Sequence, residues 1–224
     1  EKYRIRKYGF HGISHAYIAQ ATEKFLGKKG RFISCHLGSG ASVTAIKDGK
    51  SVDTTMGFTP LEGITMGTRS GNIDPAIIEF IANKENKTVS EVMNILNKDS
   101  GVYGISGKSS DFRDLDEGIL AGDKRCEIAM NVFCYQAAKF IGGYVAAMNG
   151  VDAIVFTAGV GENNKTARTR ICERLTYLGI KLDDVPNSLR GEEVRISTED
   201  SRVPVFVVPT NEELAIARET VALI

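Results

Sequence analysis

An α/β fold with a mixed sheet and helices on its faces is predicted by three features of the sequence. Residues 31–36, 42–47 and 50–55 read as a meander of three short strands. Residues 152–157 and 203–208 read as two later strands, each followed by a helical pattern. Residues 124–149 repeat apolar side chains at threes and fours, the spacing of one long helix. Antiparallel strands followed by strand–helix crossovers give a mixed sheet covered by helices.

The elements follow in order. Ile18, Ala19, Ala21, Thr22, Phe25 and Leu26 recur at mostly helical spacing, so residues 14–26 form a predicted helix capped by Ser14 and closed at Gly27. Gly38-Ser39-Gly40 breaks the first strand from the second, and Asp48-Gly49 makes the hairpin turn to the third. Residues 56–75 are rich in Gly, Thr and Pro and read as a long ordered loop. Residues 75–84 and 90–97 are modest helices. The Gly/Ser-rich stretch 100–110 is either flexible or functional. Gly142-Gly143 weakens the long helix and predicts close packing there. Residues 159–163 read as a glycine turn, 167–178 as a helix, 193–197 as a weak strand and 211–222 as the last helix. The order β-β-β-α-β-α-β-α is that of the ribonuclease-H-like core of actin-like kinases and ATPases. No internal repeat or low-complexity segment is visible.

Composition narrows the function. The 224 residues suit one large domain or two small ones. Lys plus Arg and Asp plus Glu both number 28, so the balance points to neither nucleic acid nor an anionic membrane. No apolar run approaches the ~18 residues of a membrane helix. None of the four cysteines sits at CxxC spacing and no secretory segment is visible, which predicts a cytoplasmic protein with reduced thiols. The chain opens on Glu1 and a charged segment, which reads as a cut through a longer chain.

Six short runs carry possible chemistry. His36, Leu37, Gly38, Ser39 and Gly40 form either an ordinary hairpin turn or a concavity of backbone N–H groups for an anion. Gly159, Val160, Gly161, Glu162 and Asn163 follow a buried strand and precede a helix, where phosphates bind in α/β sheets. Arg69, among small residues in MGTRSGNIDP, is either a loop arginine or a planar fork for a phosphoryl group. His11 and His15, in GFHGISH, either polarise an oxygen or cap the next helix; His15 is assigned to structure. Asp111, Phe112 and Arg113 contain either a surface ion pair or a ligand contact. Glu212 is either a first-turn acid of the last helix or a metal ligand. Gly107-Lys108-Ser109 is not a Walker A motif, because Val102 stands where the first glycine belongs.

Together these runs resemble the acetate kinase family. The matches are GFHGISH, ISCHLGSGASV, MGFTPLEG, MGTRSGNIDP, DFRDLDE, FTAGVGEN and PTNEELAIARET, spread from Gly9 to Thr220. The resemblance implies an actin-like kinase with two domains around a cleft, of which residues 1–224 are the C-terminal, nucleotide-binding domain. It implies His11 and Arg69 as stabilisers of the transferring phosphoryl group. Residues 36–40, 111–113 and 159–163 correspond to three nucleotide-binding segments. Phe10 and Pro60 would line the acyl pocket, and Glu212 would belong to a Mg2+ (or Mn2+) site. Implied substrates are ATP or ADP with acetate or acetyl phosphate, and the implied assembly is a homodimer. Propionate kinase, and a non-catalytic nucleotide-binding module, are the alternatives. Ser39 stands where the family usually has Asn, and Ile13 where it has Thr. The family's N-terminal Asp, Arg and Asn lie before the start of this chain, so the isolated chain is expected to bind nucleotide weakly without turnover.

Overall fold

The computed structural model describes residues 2–223; Glu1, at the charged opening of the sequence, and Ile224 lie outside them. In chain order the elements are α1 (Gly12–Leu26), β1 (Arg31–Leu37), β2 (Ala41–Lys47), β3 (Lys50–Thr54), α2 (Ala76–Glu85), α3 (Val89–Lys98), α4 (Gly101–Ser106), α5 (Phe112–Leu120), α6 (Lys124–Ala147), β4 (Ala153–Thr157), α7 (Ala158–Asn163), α8 (Lys165–Cys172), β5 (Val194–Arg195), β6 (Val205–Val207) and α9 (Glu212–Val221).

The strands form one sheet in the order β3-β2-β1-β4-β6-β5. β1 pairs antiparallel with β2 and parallel with β4, and β4 is parallel to β6. An antiparallel meander joined to parallel crossover strands is the expected ribonuclease-H-like core of an actin-like kinase.

Strand alternation divides the interior into two layers. Ile33, Cys35 and Leu37 of β1 and Val43 and Ala45 of β2 face the large core built on α6 through Met130, Phe133, Ala137 and Ile141. Phe32, Ile46, Val155 and Phe206 face α1 through Ile18 and Ala19. Ser34, His36, Ser42 and Thr44 occupy the same alternate positions as Phe32 and Ile46, and all four are buried. The layer under α1 therefore turns from apolar to polar toward the C-terminal end of β1.

Several sequence expectations change. Ser14 is not a cap: α1 starts at Gly12, and the Ser14 hydroxyl is buried against His36. The cap position belongs to His11 at φ 60, in the left-handed region. Residues 159–163 are not a turn but most of helix α7. The predicted helix 167–178 is two pieces, α8 and a 3-10 helix at Glu173–Leu178. The 100–110 connection contains α4, and the run 111–113 caps and opens a helix, α5, that the sequence reading did not include. A Cβ on Gly142 would approach Tyr177 Oη at 3.0 Å, as close packing requires, but Gly143 has nothing within 4 Å.

Candidate active site

Three separated segments meet beyond the C-terminal ends of β1 and β4. They enclose a cavity of about 550 Å³ lined by Gly38 and Ser39, by Ser110 to Arg113, and by Gly159, Val160 and Asn163. This is the end of a parallel sheet at which ligands of α/β proteins sit. The cavity also takes in Asp116, Asn164 and Arg190, which the sequence had not marked.

Each wall has a local cause. Asp111 caps α5 by accepting from the Arg113 N–H at 2.9 Å, and also holds the exposed Arg113 guanidinium through Nε at 3.1 Å and Nη2 at 2.6 Å. These bonds to Arg113 hold the Asp111 carboxyl below its ordinary range. Phe112 turns inward and meets Phe133 edge-to-face at 4.6 Å, which anchors α5. On α7, Ala158 has φ 65, a strained value for a residue with a Cβ. Glu162 stabilises that turn: its Oε1 accepts from Ala158 N at 2.7 Å and from Thr210 N at 3.2 Å. Asn164 caps α8 through Ala167 N and donates to Asp116 at 2.7 Å. Burial nonetheless raises the Asp116 pKa.

A second group lies where β1 turns into β2. Gly67 N donates to Ser39 O at 3.1 Å, which pins the Arg69 loop to the glycine turn. Arg69 donates from Nη1 to the Pro60 carbonyl at 3.2 Å. A Cβ added to Gly40 would lie 3.0 Å from Arg69 Nη1 and 3.6 Å from His11 Nε2. Glycine at 40 thus leaves room for a guanidinium and an imidazole at one point.

Three histidines cluster behind that point. His36 stacks on His11, with centroids 3.9 Å apart and planes at 15°. His11 Nδ1 lies 3.0 Å from Ser42 Oγ, and His15 bridges Ser42 and Ser34 at 2.7 and 2.8 Å. Burial lowers all three pKa values, to about 3 for His15 and to about 4 for His36. Arg69 adds to the depression at His11. All three rings are neutral near pH 7.

Some expected site residues have other positions. Leu37 points into the apolar core, because strand alternation places it opposite His36. His36 backs His11 and does not line the cavity. Gly161 packs against the end of β1, 3.5 Å from Cys35 O for an added Cβ, and Glu162 turns inward. Phe10 lines a separate cavity of about 220 Å³ with Tyr8, His15 and Thr44. Glu212 opens α9, exposed and with no hydrogen bond or ion pair from its carboxylate among the described residues. Two residues earlier, the Thr210 hydroxyl is buried without a partner among the described residues.

The ribonuclease-H-like sheet and its placement of the 38–40 turn beside an arginine and histidines define an actin-like kinase fold. The acetokinase family model matches residues 1–218, and the chain belongs to that family. It is 59% identical to the acetate kinase of Carboxydothermus hydrogenoformans, covering all of this chain and 57% of that protein. The crystal structure of Porphyromonas gingivalis acetate kinase superposes with a TM-score of 0.96 at 44% identity, over 99% of this chain and 56% of that one. A propionate kinase from Francisella tularensis gives 0.92, also at 44%, over 98% of this chain and 56% of that one. The chain therefore spans just over half the length of these relatives.

Proposed function

We propose that this chain is the C-terminal, nucleotide-binding portion of a cytoplasmic, homodimeric acetate kinase, which moves a phosphoryl group between ATP and acetate. The observation that carries the reading is the approach of Arg69 Nη1 and His11 Nε2 to Gly40, beside a cavity walled by the turn at Gly38 and Ser39, the start of α5 and helix α7. The cavity suits a nucleotide: the turn at Gly38 and Ser39 and the α7 region present little side chain to a phosphate, and Arg113 stands exposed at its rim. Phosphoryl transfer needs in-line positioning and neutralisation of charge on the equatorial oxygens. Arg69 supplies a permanent cation, and His11 a donor N–H. Each such donor contributes on the order of 3 kcal/mol to lowering the barrier.

Glu212 fits a magnesium ion: among the described residues its carboxylate is free, and it lies two positions after Thr210, whose hydroxyl has no partner among them. No group of three or more His, Cys, Asp or Glu suited to a metal occurs among the described residues. One carboxylate with phosphate oxygens and water is a common magnesium donor set. A bound Mg2+ would neutralise charge on the nucleotide phosphates. Propionate is the second reading, because the propionate kinase and the acetate kinase structures are equally identical to this chain. One methylene changes discrimination by only ~1–3 kcal/mol.

The test is acyl phosphate formation by the full-length protein with acetate, propionate and butyrate. Highest kcat/KM on acetate supports the proposal. No ATP-dependent product from any of the three acids refutes it.

A further inference from the structure

We propose that Ser34, His15 and Ser42 form a one-way chain of hydrogen bonds that fixes His11 with its proton on Nε2, the nitrogen beside Arg69. The use of that proton in phosphoryl transfer rests on the function proposed above; the chain of hydrogen bonds does not.

The links are Ser34 Oγ to His15 Nδ1 at 2.8 Å, His15 Nε2 to Ser42 Oγ at 2.7 Å, and Ser42 Oγ to His11 Nδ1 at 3.0 Å. Ser34 and Ser42 are fully buried and His15 is 5% exposed, so bulk solvent does not reach the two hydroxyls. A neutral imidazole carries one N–H and one bare nitrogen, and a hydroxyl carries one proton. With these donors only two continuous arrangements exist, running in opposite directions.

The far end decides between them. Among the described residues Ser34 Oγ makes no hydrogen bond other than that to His15. If His15 Nδ1 donated to Ser34, the Ser34 O–H would be a buried donor with no acceptor, an expensive arrangement. If Ser34 donates, only an acceptor lone pair goes unused. Ser34 therefore donates to His15 Nδ1, and His15 Nε2–H donates to Ser42. Ser42 donates to His11 Nδ1, which leaves the His11 proton on Nε2. Burial holds His15 neutral far below pH 7, so its two nitrogens keep opposite roles.

The consequence is directional. His11 Nε2 faces the space beside Gly40 and Arg69 as an N–H donor, which attracts an anionic oxygen. The other tautomer would present a lone pair, which repels one. Ser42 is thus a positioning residue, two bonds removed from any phosphoryl group, and His15 and Ser34 set its direction. The left-handed backbone at His11 aims the ring, and the stack on His36 holds its plane.

Long-range 1H–15N correlation spectra of this chain, labelled at histidine, read each tautomer without any turnover. The expected result at neutral pH is protonated Nε2 and bare Nδ1 at both His11 and His15. Ser42→Ala converts His11 to a mixture of tautomers, and Ser42→Thr, which keeps the hydroxyl, restores the single form. A His11 protonated on Nδ1 in the unsubstituted chain overturns the proposal, whether or not the variants fold. So does a His11 tautomer unchanged in Ser42→Ala. In the full-length protein, Ser42→Ala is expected to lower kcat about tenfold at nearly constant ATP KM, the size of a misdirected proton donor. The predicted tautomer shift with full kcat would uphold the hydrogen-bond chain and remove His11 from the mechanism.

Discussion

The imidazoles of His11 and His36 lie face to face, 3.9 Å apart and 15° from parallel, with no carboxylate bonded to either among the described residues. Two imidazolium ions would repel each other in that arrangement. His15 stands edge-on to both, and its hydrogen bonds go only to serines. The cluster is built for neutral rings.

Acid should therefore unfold the chain early. The folded pKa is about 3 for His15 and about 4 for His36, below the ordinary 6.5. Between 6.5 and those values the unfolded chain binds protons that the folded chain refuses. Stability is full above about pH 7 and falls as pH drops below 6.5, by up to ~1.4 kcal/mol per pH unit for each histidine. Urea midpoints measured from pH 8 to pH 5 check this, and His15→Gln should flatten the slope. A midpoint constant over that range contradicts it.

Gly40→Ala tests the crowded point directly. The new methyl would press on Arg69 Nη1 at 3.0 Å, and a flexible side chain yields before backbone does. The variant should fold with normal stability yet lose ~10- to 100-fold in kcat in the full-length protein, because small misplacements are costly in transfer reactions. Unchanged kcat would place the reacting phosphoryl elsewhere.

Glu162→Ala removes the acceptor for two backbone N–H groups and leaves Ala158 in its strained conformation unsupported. A loss of ~2–3 kcal/mol is expected in denaturant unfolding. Glu162→Gln keeps an oxygen there and should lose less than half as much. Equal losses would argue for a role of the charge.

Arg168 is fully buried and, among the described residues, bonds to no carboxylate. Its fork donates to the carbonyls of Gly161, Glu162 and Leu189 and to Asn187, tying α7 to the loop that brings Arg190 to the cavity. Lysine lacks that fork, so Arg168→Lys should cost ~3 kcal/mol or more and raise the ATP KM of the full-length protein. Wild-type thermal stability in this variant would contradict the tie.

The sheet was legible because its signals are local: alternation in β1 and β2, Asp48-Gly49 between β2 and β3, and an apolar run at β4. The glycine runs were legible for the same reason, and eight of the thirteen residues in the three nucleotide segments line the cavity. The inward turn of the Leu37 side chain was legible too, since period-two alternation opposes it to His36. Ser14 reads as a cap in isolation; only the placement of His36 across from it explains its burial. α4 begins at Gly101 with φ 63, where an added Cβ would strike Met66 O, so tertiary contact outweighs a weak helical sequence. Asp116 was recoverable, one helical turn after Phe112 on α5. Arg190 was not, since its position depends on Arg168, distant in sequence.

The most direct measurement is the kcat and ATP affinity of the full-length Arg69→Ala protein. Loss of ~10²- to 10³-fold in kcat, with nucleotide bound within a few-fold of normal, is the predicted result. Turnover at the unsubstituted rate would show that the guanidinium beside Gly40 meets no reacting group.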